Sequence, residues 1–226
     1  MFFGLEWCVR QMENEKMKSE IIPLFSTPVI RTNIGRDFTK PETDCFKNIS
    51  MWKDEKQGMQ NHISKDAYLF DSHVDTLKDI KTFCEDELKR FLEGVGGVNT
   101  DLVGLRITQS WSNKTKPSES HHLHHHGNSY LSGVLYITCL PNDHINLSNR
   151  MQGMFNNTDF PIKEITPWNI HVMKINVKEG DLIIFPSWVP HYVDVNETKD
   201  KERISFSFNT FPIGEMGDYY GSHLKL

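Results

Sequence analysis

Val74, Leu77, Ile80, Cys84, Leu88 and Phe91 recur at steps of three and four, which is the spacing of an amphipathic helix. Gly94, Gly96 and Gly97 stop it. Ser72 followed by Asp75 suggests a capping box, with Asp standing in for Glu. Beyond the glycines the texture changes. Segments 102–111, 128–139, 144–149, 170–177, 181–186 and 202–209 read as strands, separated by Lys116-Pro117, Pro141-Asn142-Asp143, Glu179-Gly180-Asp181 and Asn196. Upstream, 18–31 reads as a first strand broken by Pro23 and Pro28. Residues 32–65 read as polar and irregular, anchored by Phe46 and Trp52. The polar stretch 150–169 reads as a long loop over one end of the barrel, a lid or a substrate-facing segment. A helix followed by many strands predicts an all-β core, sandwich or barrel, with packing helices. No helical pattern separates the late strands, so a parallel βαβ layout does not fit.

Length and composition narrow this picture. The chain has 226 residues, enough for one β-rich domain with its own core. We expect a single domain over 17–226, with 1–16 as an N-terminal extension. No apolar run reaches 18 residues, so no membrane span is expected. The net charge of −5 and the lack of a basic stripe argue against a nucleic-acid binder. The four cysteines are scattered without a Cys-x-x-Cys pair, which predicts reduced thiols and a cytoplasmic setting.

The chemistry gathers in two places. His121, His122, His124, His125 and His126 fall within six positions, immediately before the strand that contains Leu131 to Ile137. In an extended chain His122, His124 and His126 share a face, and two such imidazoles can reach one metal ion. Further on, Gly180-Asp181-Leu182-Ile183-Ile184-Phe185-Pro186-Ser187-Trp188-Val189-Pro190-His191 is a turn, a buried strand and a histidine past a Pro-flanked corner. Arg203, Ser205, Ser207 and Asn209 then alternate with Ile204, Phe206 and Phe208. An arginine on an inner barrel face requires an anion. A ligand carboxylate would match its planar fork; an ion pair with Asp194 or Glu202 is the structural alternative.

His-x-His-x-Asn-Ser-x-Leu-Ser-Gly-Val-x-Tyr, then Gly-Asp-x-x-x-Phe-Pro-Ser-Trp-x-x-His, then Arg-x-Ser-x-Ser-Phe-Asn resembles the 2-oxoglutarate/Fe(II)-dependent oxygenases of phages and bacteria, distant relatives of the prolyl-4-hydroxylases. Leu24 to Val29 and Ser110-Trp111-Ser112-Asn113 are similar to further parts of that family, so the resemblance spans roughly 20–211. It implies a double-stranded β-helix, a jelly roll of cupin-like form. It also implies a dioxygenase that uses Fe(II), 2-oxoglutarate and O₂ to hydroxylate a peptidyl, prolyl-like, or small amino-acid substrate, with release of succinate and CO₂. His191 would be the distal iron ligand, and Arg203 with Ser205 would hold the distal carboxylate of 2-oxoglutarate. Asn113, Ser132 and Tyr136 would flank that cosubstrate.

One departure matters. The usual triad is two histidines and a carboxylate, yet this first motif has neither Asp nor Glu. His124 and His126 are the preferred pair; His126 with Asn128, or His122 with His124, are the alternatives. Glu119 or Asp194 could supply the missing charge through the fold. Trp111, Tyr136 and Trp188 could line the pocket, whereas Phe206 reads as core. Two rival functions stay open: a cupin-type metalloprotein without 2-oxoglutarate, and an inactive β-sandwich binding or structural protein of a phage. The expected partners are the cosubstrate and a small or peptidyl substrate, with a homodimer possible, and a phage-encoded chain would work in its host's cytoplasm.

Overall fold

The computed structural model describes residues 12–14, 17–19, 26–149, 161–166, 169–218 and 220–226. Strands β1 (Met12–Asn14) and β2 (Met17–Ser19) pair as an antiparallel hairpin, across the boundary expected at residue 16. Next come β3 (Ile30–Asn33), α1 (Lys40–Asn48), β4 (Met51–Trp52), β5 (His62–Ser64), α2 (Leu69–Ser72) and α3 (Val74–Gly94). The remaining elements are strands: β6 (Val103–Thr115), β7 (His121–His124), β8 (Leu131–Thr138), β9 (His144–Ser148), β10 (Val172–Asn176), β11 (Asp181–Pro186), β12 (His191–Val193), β13 (Arg203–Met216) and β14 (Leu224–Lys225). Most of the expected 150–169 loop lies outside the described residues, as do 20–25 of the expected 18–31 strand, Leu24 and Phe25 included; of the rest of that strand, 26–29 is irregular and β3 begins only at Ile30.

Two antiparallel sheets face each other. The larger runs β3-β11-β8-β13-β6-β5-β4, and the smaller β10-β9-β12-β7. The helices cover the outer face of the larger sheet. Leu77, Ile80, Cys84, Leu88 and Phe91 of α3 pack with Leu135, Ile137, Leu182, Ile184, Ile204, Phe206 and Phe208. The inner face supplies a second core, in which Val134, Tyr136, Ile183 and Phe185 meet Ile145 and Leu147 of the smaller sheet. Covered on both faces, β8 and β11 are buried along almost their whole length, which is why 134–137 and 182–185 within them read as unbroken apolar runs. Phe206 stacks edge-on to Phe46 and Phe70 at 5.5 and 4.7 Å between ring centres, so it belongs to the helix-side core as expected. Gly133 lies directly under the Phe208 ring, where a Cβ would stand 2.1 Å from Cζ.

Two local readings need correction. Ser72 ends α2 and does not cap α3, whose cap position is His73 with no side-chain hydrogen bond. The capping box lies instead at α1, inside the stretch read as irregular. Thr39 Oγ1 accepts from Glu42 N at 3.3 Å, and Glu42 Oε2 accepts from Thr39 N at 2.7 Å. Arg36 clamps both oxygens of the same carboxylate at 2.6 and 2.8 Å. Strands β7 and β12 were also missed, because each is short and flanked by turns.

Candidate functional site

Register brings the histidines together. In the β7–β12 pairing His124 lies opposite His191, while His121 lies opposite Val193. Three steps along β7 match two along β12, so β7 carries a bulge. The bulge breaks the alternation expected of an extended chain. His121 and His124, three residues apart, end up on one face with their rings stacked at 4.4 Å. His126 follows β7, and its backbone N–H donates to the Ser187 carbonyl at 3.0 Å beside the corner that carries His191. The ring centres of His124 and His191 are 4.2 Å apart, and each is 5.1 Å from that of His126. One ring nitrogen from each of His124, His126 and His191 falls within 4.8 Å of the other two.

Second contacts orient two of these rings. His124 Nδ1 lies 2.8 Å from the His122 carbonyl, and His191 Nδ1 lies 3.1 Å from that of Val189. Carbonyls only accept, so both Nδ1 atoms carry the proton and both Nε2 lone pairs are left bare. Burial, reinforced by the neighbouring imidazoles, pushes His191 down to about 3 and His126 down to about 4. Burial also lowers His124, although its bond to the His122 carbonyl works the other way. All three are neutral at pH 7, the form that binds a transition metal.

The three rings form part of the wall of a narrow cavity between the sheets. Trp111, Asn113, His121, Tyr136, Arg203 and Ser205 are also on its wall. Trp111 stands edge-on to His126 at 5.4 Å. Arg203, whose side chain is 3% exposed, rests its guanidinium 5.0 Å from the centre of the Tyr136 ring. Its partner is Asp143, with Nε 3.1 Å from Oδ2, and not Asp194 or Glu202. Asp143 is anchored by the backbone N–H groups of His144 at 2.8 Å and Leu140 at 3.2 Å. Its oxygen lies off the Nε–H direction, so the contact is an ion pair and Nε keeps no hydrogen-bond acceptor. Tyr136 Oη is likewise buried without a partner, and burial raises its pKa despite the nearby Arg203. The buried Tyr136 hydroxyl, with the Arg203 guanidinium beside it, thus leaves a donor on the cavity wall for a ligand oxygen.

Several expected residues stand elsewhere. Ser132 is buried but not on the cavity wall; its Oγ joins Ser187 Oγ and Asn209 Oδ1, each at 2.8 Å. Asn113 is on the wall and donates to Ser207 Oγ at 3.1 Å. Asn128 is exposed in a turn with φ of 53°, so it leaves the extended register that would have aligned it with His126. Glu119 is taken by Lys53, His62 and the backbone of Lys116, and Asp194 by His144 and Lys174. Trp188 is 47% exposed and off the cavity wall. Sequence reasoning missed Asp143 and the inward position of His121. A strand bulge and a pairing partner 60 residues away leave no local pattern.

Two antiparallel sheets closing on a histidine-lined cavity define a double-stranded β-helix. Residues 109–209 match the model of the family described as "Putative 2OG-Fe(II) oxygenase", whose members use Fe(II), 2-oxoglutarate and O₂. Among solved structures, the chain is similar to the α-ketoglutarate-dependent epimerase SnoN from nogalamycin biosynthesis, at 12% identity and a TM-score of 0.54, over 83% of this chain and 81% of that one. It is also similar to the carbocyclase SnoK from the same biosynthesis, at 12% identity and 0.53, over 81% and 79%. At these identities the likeness bears on the fold. No curated protein matches the chain in sequence. Nothing in these comparisons supports a phage origin.

Proposed function

We propose that the chain hydroxylates an unactivated C–H bond of a peptidyl, prolyl-like, or small amino-acid substrate, with His124, His126 and His191 holding Fe(II) and Arg203 holding 2-oxoglutarate. The carrying observation is one cavity that joins three neutral imidazoles to the buried Arg203 and to Tyr136 Oη, a buried hydroxyl without a hydrogen-bond partner. Bound iron supplies the oxidising chemistry, with 2-oxoglutarate leaving as succinate and CO₂.

The chain's own residues bind, orient and exclude water. The His122 and Val189 carbonyls fix two of the imidazoles with Nε2 bare. Asp143 holds the guanidinium from one side and leaves the terminal nitrogens of its fork for the C5 carboxylate. Tyr136 Oη and Ser205 Oγ add hydrogen bonds to the same group, and Asn113 stands beside them on the wall. Trp111, Val134 and Ile145 keep the cavity apolar near the metal. His124, His126 and His191 would add no negative charge to a bound ion, and Arg203 would help to draw in the dianionic cosubstrate.

The test is succinate release from 2-oxoglutarate in the presence of Fe(II), screened against peptide and amino-acid libraries. Substrate-stimulated turnover in one pool supports the reading. Iron binding with neither 2-oxoglutarate binding nor turnover would favour a cupin-type metalloprotein instead.

A further inference from the structure

The proposed site uses three imidazoles and leaves the rings of His121 and His122 without a part. The bulge in β7 nevertheless turns both toward His124. Ring centres are 4.4 Å apart for His121 and His124, 5.1 Å for His122 and His124, and 5.2 Å for His121 and His122. One nitrogen from each of these three rings falls within 4.8 Å of the other two, the same closeness found in the inner set. His122 is exposed and His121 half-buried, so this cluster faces the solvent side of His124 and His191 is buried behind it.

We infer that His121, His122 and His124 form a second, outer site for an imidazole-seeking divalent cation such as Zn²⁺, Co²⁺ or Ni²⁺, which competes with the inner site for His124. Three imidazoles and a water complete a four-coordinate shell at metal–nitrogen distances of about 2.0–2.1 Å. His122 can close the remaining gap because its ring is in solvent. Competition follows from the count of lone pairs. His124 Nδ1 is committed to the His122 carbonyl at 2.8 Å, so Nε2 alone remains and can serve one ion at a time. An ion held outside therefore leaves the inner site with two imidazoles. Ions that outrank Fe²⁺ for nitrogen ligands would take the outer site in excess and loosen inner iron. The outer cluster stands on its own geometry; only the competition rests on the inner reading.

Anaerobic titration with Co²⁺, followed by visible absorption and equilibrium dialysis, tests this without any assay of turnover. In the wild type, a first ion binds and a second phase in excess Co²⁺ changes the spectrum of the first. His122→Ala alone, which removes an exposed ring and leaves the packing intact, abolishes the second phase and keeps the first, as does the His121→Ala/His122→Ala pair. His191→Ala keeps one ion, which is lost when the pair is added. A His191→Ala protein that binds no Co²⁺, or a His122→Ala protein whose titration matches the wild type, overturns the outer site. Loss of the first ion from the His121→Ala/His122→Ala protein supports the outer cluster and refutes the inner triad, so the two readings fail separately.

Discussion

Replacing Arg203 by Ala removes one member of an ion pair whose side chains are 3% and 5% exposed. Two effects follow, and they can be separated. Losing one partner of a buried charge pair costs about 3–5 kcal/mol. For 2-oxoglutarate, whose distal carboxylate would lose the guanidinium, that is a fall in affinity of hundreds- to thousands-fold. For the fold, the stranded group is Asp143. It keeps its backbone hydrogen bonds from His144 and Leu140, so the loss of stability belongs at the lower end of the range. In a chain of this size each kcal/mol moves Tm by about 2–4 °C. The double variant Arg203→Ala/Asp143→Asn removes the stranded charge and keeps an oxygen to accept from His144 N. It should recover most of the lost Tm and none of the lost affinity. Arg203→Lys should bind with intermediate strength, since an ammonium offers a point charge in place of a fork. The assay is titration of 2-oxoglutarate into anaerobic Fe(II) protein, read from its charge-transfer band, beside calorimetric melting. Wild-type affinity in the well-folded double variant would refute the reasoning and move the carboxylate site away from Arg203.

Three further outcomes are expected. Gly133→Ala sets a Cβ against the Phe208 ring and should lower stability by roughly 1–3 kcal/mol in urea titration; an unchanged midpoint would show that the ring yields freely. Burial alone would raise the Glu42 carboxyl, but its hydrogen bonds from Arg36 and Thr39 prevail and hold it below its ordinary 4.5. Its contribution to stability is therefore complete above pH 4.5 and lost as pH falls through the lowered value, so the Tm gap between wild type and Glu42→Gln should be widest near neutrality and close in acid; a gap that is constant with pH would contradict this. Asn128→Ala should leave bound iron unchanged by elemental analysis, because the residue sits in an exposed left-handed turn off the cavity wall; loss of iron would restore the amide as a ligand.

The parts of this fold legible in the sequence are those where one physical rule dominates. Helix α3 showed its period because one stripe, from Leu77 to Phe91, faces the core. Strand β13 showed its alternation because Ile204, Phe206 and Phe208 meet the helices while Arg203, Ser205 and Ser207 meet the cavity. Helix α1 hid because its hold on the core is mainly Phe46, and its start depends on Thr39, Glu42 and a distant Arg36 clamp. At the site, spacing suggested that His124 and His126 belong with His191. Spacing could not reveal the β7 bulge, which brings in His121, nor the sheet register that sets Asp143 against Arg203.

The central claim is that one ion binds between His124, His126 and His191, with Arg203 reaching the far end of its cosubstrate. Diffraction at the iron absorption edge, from crystals grown anaerobically with one equivalent of Fe(II) and 2-oxoglutarate, tests it directly. The account predicts a single anomalous peak bonded to Nε2 of His124 and His191 and to a ring nitrogen of His126, with the C5 carboxylate on Arg203. A peak held by Asn128, or one seated only among His121, His122 and His124, would contradict it.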